Sequence, residues 1–159
     1  MSAFAGEHAV RSHAFVVNLP VERAFVLFEP EGERAWAQGW DPQHVWPQDG
    51  RTQAGMVFTT QHGGESTIWT LVRHEPQSAL VEYLRVTPDS RVASIIVQCA
   101  RLDAARTRAT VIYAMTGLSE GGNRFIRNMD EAHYREYIAG WETAIAKIAG
   151  QIGPPPARG

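Results

Sequence analysis

The chain has 159 residues, which suits one domain, and its 44% hydrophobic and 20% charged residues are an ordinary globular balance. A formal net charge of -2 excludes the basic surface that nucleic acid or an anionic membrane would require. No stretch approaches the ~20 apolar residues of a membrane span, and charged residues interrupt the first twenty positions, unlike a signal peptide. We therefore expect a soluble, cytoplasmic protein with no nucleic-acid partner and no membrane insertion.

The first third of the chain predicts a strand followed by two short helices. Residues 10–19 have the β-branched content of a strand. Helical spacing then covers 21–28, and prolines stand before and after it. A second short helix is expected over about 31–38. Residues 39–55 are rich in glycine and proline but also hold apolar residues, which predicts an ordered loop or a short edge strand.

The best-defined local feature is a β-hairpin over residues 56–74. The pair Gly63-Gly64 supplies the positive φ angles that a two-residue primed turn requires. If those glycines form the loop, Phe58 lies opposite Trp69 on the more apolar face of the hairpin. We expect that face to point to the interior.

Three further strands are predicted over 79–86, 91–102 and 107–116, separated by Pro-Asp and Ala-Ala turns. In the last strand, bulky residues such as Tyr113 and Met115 alternate with mostly polar ones, so the bulky set should point inward.

Strand parity between residues 79 and 102 depends on the turns. A two-residue turn at 104–105 points Ile96 and Gln98 to the interior, and the Pro-Asp turn then points Tyr83 inward as well. One β-bulge would replace Tyr83 by Glu82 and Gln98 by its neighbours. The direction in which these strands alternate therefore decides whether the interior holds the neutral side chains of Tyr83 and Gln98 or the carboxylate of Glu82.

The pattern becomes helical from Ser119 onwards, with a break expected near 128–130. We expect one domain over residues 1–152 and a disordered, proline-rich tail over 153–159. After the break, apolar residues recur at intervals of three and four, which predicts a long amphipathic helix. They are Tyr134, Ile138, Trp141, Ile145, Ile148 and Ile152.

Several segments resemble the START/birch-pollen-allergen superfamily, also called SRPBCC, and in particular its polyketide cyclase/dehydrase-like members. The segments are NLPVERAFVLFEPEGERAWAQGWDP at 18–42, IWTLVRHEP at 68–76, TRATVIYAMTGLSEGGN at 107–123 and YIAGWETAI at 137–145.

The resemblance implies an α+β, helix-grip fold. A curved antiparallel sheet of about six to seven strands surrounds a long C-terminal helix, with two short helices after the first strand. A cavity lies between the sheet and the helix. Members bind lipids, sterols or polyketides, a minority cyclise or dehydrate polyketides, and some are co-chaperones. The superfamily has no shared catalytic motif, so the resemblance implies no catalytic residue, and we expect no cofactor.

The inward side chains are the candidate ligand-binding residues, because an apolar-ligand pocket needs mostly hydrophobic walls with a few orienting polar groups. The alternative is a fully packed core. The candidates are Phe58, Trp69, Tyr83, Ile96, Gln98, Tyr113, Met115, Tyr134 and Trp141.

A metal site is the weaker interpretation of the histidines. His62 and Glu65 flank the glycine turn and could bind a metal together with His74 or His133. Two residues on a turn are too few for a tight site, which needs three or four ligands. We expect an exposed pair and no metal.

Three functions remain open. The first is non-catalytic binding of a small apolar or aromatic molecule, lipid-like or polyketide-like. The second is a cyclase or dehydratase, which requires an ionisable residue with a perturbed pKa in the cavity. The third is a co-chaperone-type interaction module. The chain is expected to be a monomer or a homodimer.

Overall fold

The computed structural model of this protein describes residues 3–152, and the side chain of Ile152 is not among the described atoms. The predicted disordered tail, 153–159, lies outside the described residues. Within the described range, no helix is both long enough and apolar enough to cross a membrane.

The elements follow the order that the sequence predicted: a strand and short helices come first, then a meander of strands, and then the last helices. Short 3-10 turns occupy Gly32–Ala35 and Pro76–Ser78. The strands and helices are β1 (His8–Val17), α1 (Val21–Val26), β2 (Gln43–Trp46), β3 (Val57–His62), β4 (Glu65–Glu75), β5 (Leu80–Thr87), β6 (Arg91–Asp103), β7 (Arg106–Gly117), α2 (Glu120–Asn128) and α3 (Glu131–Ile152).

The seven strands form one antiparallel sheet in the order β1-β7-β6-β5-β4-β3-β2. The first strand therefore lies beside the last, and β2 forms the opposite edge, as the edge-strand prediction had it. The second predicted helix is only the 3-10 turn after α1. The α+β helix-grip prediction is confirmed, because α3 packs its apolar stripe into the concave face of this sheet.

The glycine hairpin has the predicted register. His62 pairs with Glu65 and Phe58 with Trp69, and the two turn glycines have φ angles of +57° and +81°. Positive φ at both turn positions is the conformation that glycine adopts without strain. In this register Phe58, Thr60, Thr67 and Trp69 form the buried face of the hairpin.

The helical break is also at the predicted place. Asp130 stands between α2 and α3, and its carboxylate accepts a 2.9 Å hydrogen bond from the backbone N–H of His133, which satisfies the first turn of α3. Beyond it, Tyr134, Ile138 and Ile145 are buried, so the amphipathic stripe faces the sheet.

The predicted inward orientation of Ile96 and Gln98 is wrong. In β6 the odd-numbered side chains are the buried ones, and Val97 and Cys99 point inward instead. The cause is a register shift between Arg101 and Asp103, which adds one residue to β6 opposite β7. A one-residue slip moves every side chain of a strand to the opposite face.

Tyr83 points inward as predicted, because a second irregularity cancels the first. Thr87 pairs with Arg91, so the loop after β5 has three residues rather than two. Its middle residue, Asp89, has a φ of +63°. Glu82 therefore lies on the outer face, where it accepts a 2.8 Å hydrogen bond from Arg73.

Candidate ligand-binding site

The site residues come from neighbouring rows of the concave face. Cross-strand neighbours on one face of a sheet lie within contact distance of each other. One row is formed by Leu71, Tyr83, Ile95 and Tyr113, and the next by Phe58, Trp69, Arg85, Ala93 and Met115.

The first ring cluster lies at the β3–β4 side of the concave face. Phe58 and Trp69 stack with an interplanar angle of 6° and centroids 5.7 Å apart. Tyr83 meets both rings edge-on, and Trp40 closes over them with its centroid 5.1 Å from that of Trp69. Such offset and edge-to-face arrangements are the favourable ones for aromatic pairs.

The second ring cluster joins α3 to the centre of the sheet. Tyr113 contacts Tyr134 at 5.5 Å, Tyr137 at 6.1 Å and Trp141 at 6.3 Å between centroids. Trp36, from the segment after α1, lies 5.3 Å from Trp141. The helix is thus attached to the sheet by aromatic rings rather than by aliphatic packing alone.

Two tryptophans in the segment after α1 donate their indole N–H groups to backbone carbonyls just after α1. Trp36 donates to the carbonyl of Leu27 at 2.7 Å, and Trp40 donates to that of Pro30 at 2.8 Å. Both indoles are only partly buried, so they form an outer layer over the buried rings.

The predicted ligand-binding residues divide into two groups. Ile96 and Gln98 lie on the outer face, where the Gln98 amide donates 2.7 Å to the carbonyl of Ser78. The others meet in the interior, with Trp141 partly buried. They are Phe58, Trp69, Tyr83, Tyr113, Met115, Tyr134 and Trp141.

These interior rings occupy the region where the resemblance implied an open cavity. Two surface clefts of about 540 Å³ and about 320 Å³ are present, and none of the predicted ligand-binding residues lines either of them. The larger cleft lies between α1, the Pro76–Ser78 turn and the end of β6.

The smaller cleft, between α2 and α3, borders the second ring cluster. Phe125, Met129 and Tyr137 form its apolar side. Tyr137 is 42% exposed, and its ring also contacts Tyr113 and Trp141. A molecule in this cleft would therefore be one ring away from the interior.

Glu33 is a buried carboxyl that the sequence reasoning missed. Its side chain is 8% exposed and makes no hydrogen bond or ion pair with any residue in the described range. Burial raises the pKa of this carboxyl well above its ordinary value. The same sequence has two exposed or half-buried glutamates nearby, so composition offered no signal for this one.

The two neighbouring glutamates have imidazole partners. Glu29 is 2.6 Å from Nε2 of His74, and Glu31 is 2.5 Å from Nε2 of His44. Among the described residues, no imidazole forms such a contact with Glu33. Burial raises the pKa of Tyr83 well above 10, and an ionised carboxylate at Glu29 or Glu33 acts in the same direction, so that phenol stays protonated and donates 2.6 Å to the carbonyl of Phe28.

Arg85 is the second group that was missed, although a signal for it existed. Alternation in β5 that points Tyr83 inward also points Arg85 inward, two residues further along. Its guanidinium carbon lies 4.8 Å from the centroid of Trp69, and its Nε is buried without a hydrogen-bond partner.

The histidines and acids do not assemble a metal site. Glu65 is bonded to Arg91, and His74 and His133 are bonded to Glu29 and Asp130 respectively. Among the described residues, no three His, Cys, Asp or Glu side chains come close enough together to hold a metal ion.

Comparison with solved structures identifies the fold that these strands and helices form. Norcoclaurine synthase from Thalictrum flavum, in complex with dopamine and hydroxybenzaldehyde, superposes with a TM-score of 0.69 over 95% of this chain and 91% of that one, at 9% identity. The Zhui aromatase/cyclase from a Streptomyces species gives 0.64 over 92% and 94%, at 18% identity. The fold is the helix-grip fold.

A hypothetical protein from Helicobacter pylori shares the same fold, with a TM-score of 0.71 over 88% of this chain and 87% of that one, at 10% identity. The sequence matches no protein-family model and no curated protein. At these identities the helix-grip likeness concerns the fold alone, since one fold hosts many functions.

Proposed function

We propose that this helix-grip protein binds a small apolar or aromatic molecule between its sheet and α3, with entry through the cleft between α2 and α3. The observation that carries the proposal is the double role of Tyr137, whose ring borders the cleft and also contacts Tyr113 and Trp141. Displacing this one exposed ring would join the cleft to the aromatic interior.

The chemistry of the interior supports an aromatic ligand. Flat rings that meet edge-on can exchange one partner ring for another with little loss of contact. Trp36 and Trp141 are partly buried, so both border the fully buried rings without belonging to the innermost core. The ligands named in the norcoclaurine synthase complex, dopamine and hydroxybenzaldehyde, are small aromatic molecules of the proposed class.

Native mass spectrometry of the purified protein, together with titration by Nile red, a neutral fluorescent dye, tests the proposal. We expect saturable dye binding, or a co-purified molecule. Replacing Tyr137 by alanine should speed dye association roughly tenfold because the covering ring is gone, whereas Tyr137→Phe and the exposed control Trp46→Ala should not. Lack of both a bound molecule and saturable dye binding would contradict the proposal.

A second candidate function, cyclase or dehydratase chemistry, is favoured by Glu33. A buried, protonated carboxyl is suited to giving a proton to a departing hydroxyl group. In dehydration of a β-hydroxy ketone, the C–O bond breaks and the hydroxyl leaves as water with the Glu33 proton. The resulting carboxylate takes the proton from the carbon beside the carbonyl, and a C=C bond forms.

The substrate 4-hydroxy-4-phenylbutan-2-one tests this candidate, because its enone product absorbs in the ultraviolet. We expect enone formation by the native protein and roughly a hundredfold slower formation by Glu33→Gln. The control Glu22→Gln removes an exposed glutamate of α1. Equal rates with and without protein would remove the enzymatic candidate and leave the binding proposal intact.

A further inference from the structure

Arg85 is a cation on the face of the sheet that buries mainly apolar and aromatic side chains. In β5 it shares the inward face with Val81 and Tyr83. Its cross-strand neighbours are Trp69 in β4 and Ala93 in β6. Ala93 contributes only a methyl group on the β6 side of Arg85.

The hydrogen bonds of Arg85 leave most of its donors unused. A guanidinium has five N–H donors. Nη2 lies 3.4 Å from the hydroxyl oxygens of both Thr67 and Thr87, which is long for a hydrogen bond, and these hydroxyls bond each other at 3.0 Å. Nε is buried and has no partner.

No carboxylate in the described part of the chain forms an ion pair with Arg85. The acid that responds to its charge is Glu65, but Glu65 is held by Arg91 through two hydrogen bonds of 3.0 and 3.1 Å. Those bonds lower the pKa of Glu65, and the charge of Arg85 contributes further. Glu65 is thus already ion-paired with Arg91, and Arg85 has no carboxylate partner among the described residues.

Trp69 does not supply that missing negative charge. A guanidinium over an indole gains only about 0.5–2 kcal/mol from the ring. The nearby Tyr113 stays neutral, because burial raises the pKa of its hydroxyl well above 10 even though Arg85 acts to lower it. A partly buried cation with an unsatisfied N–H is costly unless something completes it.

We infer that the molecule bound in this interior carries an anionic oxygen group, such as a carboxylate or an ionised enol, which Arg85 recognises through Nε and a terminal N–H. This inference rests on the proposed ligand-binding function and specifies the chemical class of the ligand. Side-on pairing through two parallel N–H donors is the geometry in which arginine binds planar anions best. The apolar body of the ligand would lie along Trp69 and the neighbouring rings.

The matched probes 2-naphthoate and 2-naphthamide separate charge from shape, because they differ in an anionic or neutral planar head on the same ring system. We expect the native protein to bind naphthoate roughly tenfold to a hundredfold more tightly than the amide, the ratio that one charge-assisted hydrogen-bonded pair supplies. In Arg85→Met this preference should vanish while amide binding changes by less than about threefold.

Two further variants keep the experiment decisive. Arg108→Met removes an exposed arginine of β7 and matches the change in net charge, so it should keep the preference for naphthoate. Arg85→Lys retains the charge but lacks Nε, so it should keep only part of the preference for naphthoate. This variant also provides a test if Arg85→Met does not fold.

The outcomes distinguish this inference from the proposed function. Equal binding of both probes by the native protein, or a preference that survives in Arg85→Met, would overturn the inference and leave the binding proposal standing. Failure of the native protein to bind either naphthalene probe would contradict both.

Discussion

The phenolic hydroxyl of Tyr134, in the first turns of α3, donates a 2.6 Å hydrogen bond to the backbone carbonyl of Val111 in β7. The tyrosine is 2% exposed, and its ring also packs against Tyr113. This contact attaches the start of the long helix to the middle of the sheet, and burial raises the pKa of the phenol well above its ordinary value because its charged form would be desolvated.

Replacing Tyr134 by phenylalanine should lower the free energy of unfolding by about 1–3 kcal/mol, because the ring is kept while a buried carbonyl loses its partner. Urea unfolding followed by circular dichroism measures this change. The urea dependence itself, the m value, should not change, since the same surface is exposed on unfolding. An unaltered midpoint would show that the bond contributes nothing.

The Glu33→Gln variant should alter how stability depends on pH. The raised pKa of Glu33 means that its folded state holds a proton that the unfolded chain releases. Its contribution is fully present below the unfolded pKa and is lost as pH rises towards the folded pKa, at about 1.4 kcal/mol per pKa unit of difference. The variant should therefore gain stability relative to the native protein as pH rises above about 4.5.

Urea midpoints measured between pH 4 and pH 8 for the native protein, Glu33→Gln and the exposed control Glu22→Gln give this comparison. The control should follow the native curve. If the difference between native protein and Glu33→Gln is the same at every pH, the carboxyl is not desolvated in the folded state.

The thiol of Cys99 should react very slowly with a disulfide reagent in the folded protein. It is 3% exposed, and burial raises its pKa to about 12. At pH 8 the thiolate fraction is then roughly a thousandfold smaller than for a free cysteine of pKa about 8.5.

The double variant Cys99→Ser with Gln98→Cys tests strand parity directly. Position 98 lies on the outer face, so its thiol should react at the rate of an accessible cysteine. If native Cys99 reacts rapidly and the thiol at 98 does not, the register assigned to β6 is wrong.

Asn123 attaches the N-terminal segment to α2. Its side-chain oxygen accepts 2.7 Å from the backbone N–H of Glu7, and its amide nitrogen donates 3.1 Å to the carbonyl of Ala5. Asn123→Ala should lower the free energy of unfolding by roughly 1–3 kcal/mol and should speed amide hydrogen exchange at Glu7. The exposed Asn128→Ala on the same helix should change stability by less than about 0.5 kcal/mol.

Local patterns accounted for much of the fold. Gly63 and Gly64 defined a hairpin register that the structure confirms, since only residues tolerant of positive φ fit that turn. Asp130 marked the break between the last two helices, and the stripe from Tyr134 onwards marked the face of α3 that meets the sheet. In each case the residues responsible are close together in the sequence.

The interior charges were harder to predict. Arg85 follows from the same alternation as Tyr83, but an arginine is ordinarily exposed and the pattern alone did not overrule that expectation. Glu33 depends on how the segment after α1 folds back over the sheet, which no periodicity records. Both were therefore absent from the predicted site, although they are the ionisable groups that distinguish the possible functions.

The sequence by itself determined the order of strands and helices and most of the aromatic wall, because hairpin turns, helix caps and side-chain periodicity act over a few residues. The helix-grip architecture was implied by the resemblance to a known superfamily. Only the tertiary structure decided parity in β6. An added residue near Arg101 and a third residue in the loop after Thr87 shift the register in opposite senses, so Tyr83 kept its predicted side while Gln98 did not. Such shifts are set by the packing of adjacent strands, and so is the burial that leaves Arg85 facing aromatic rings without an ion-pair partner.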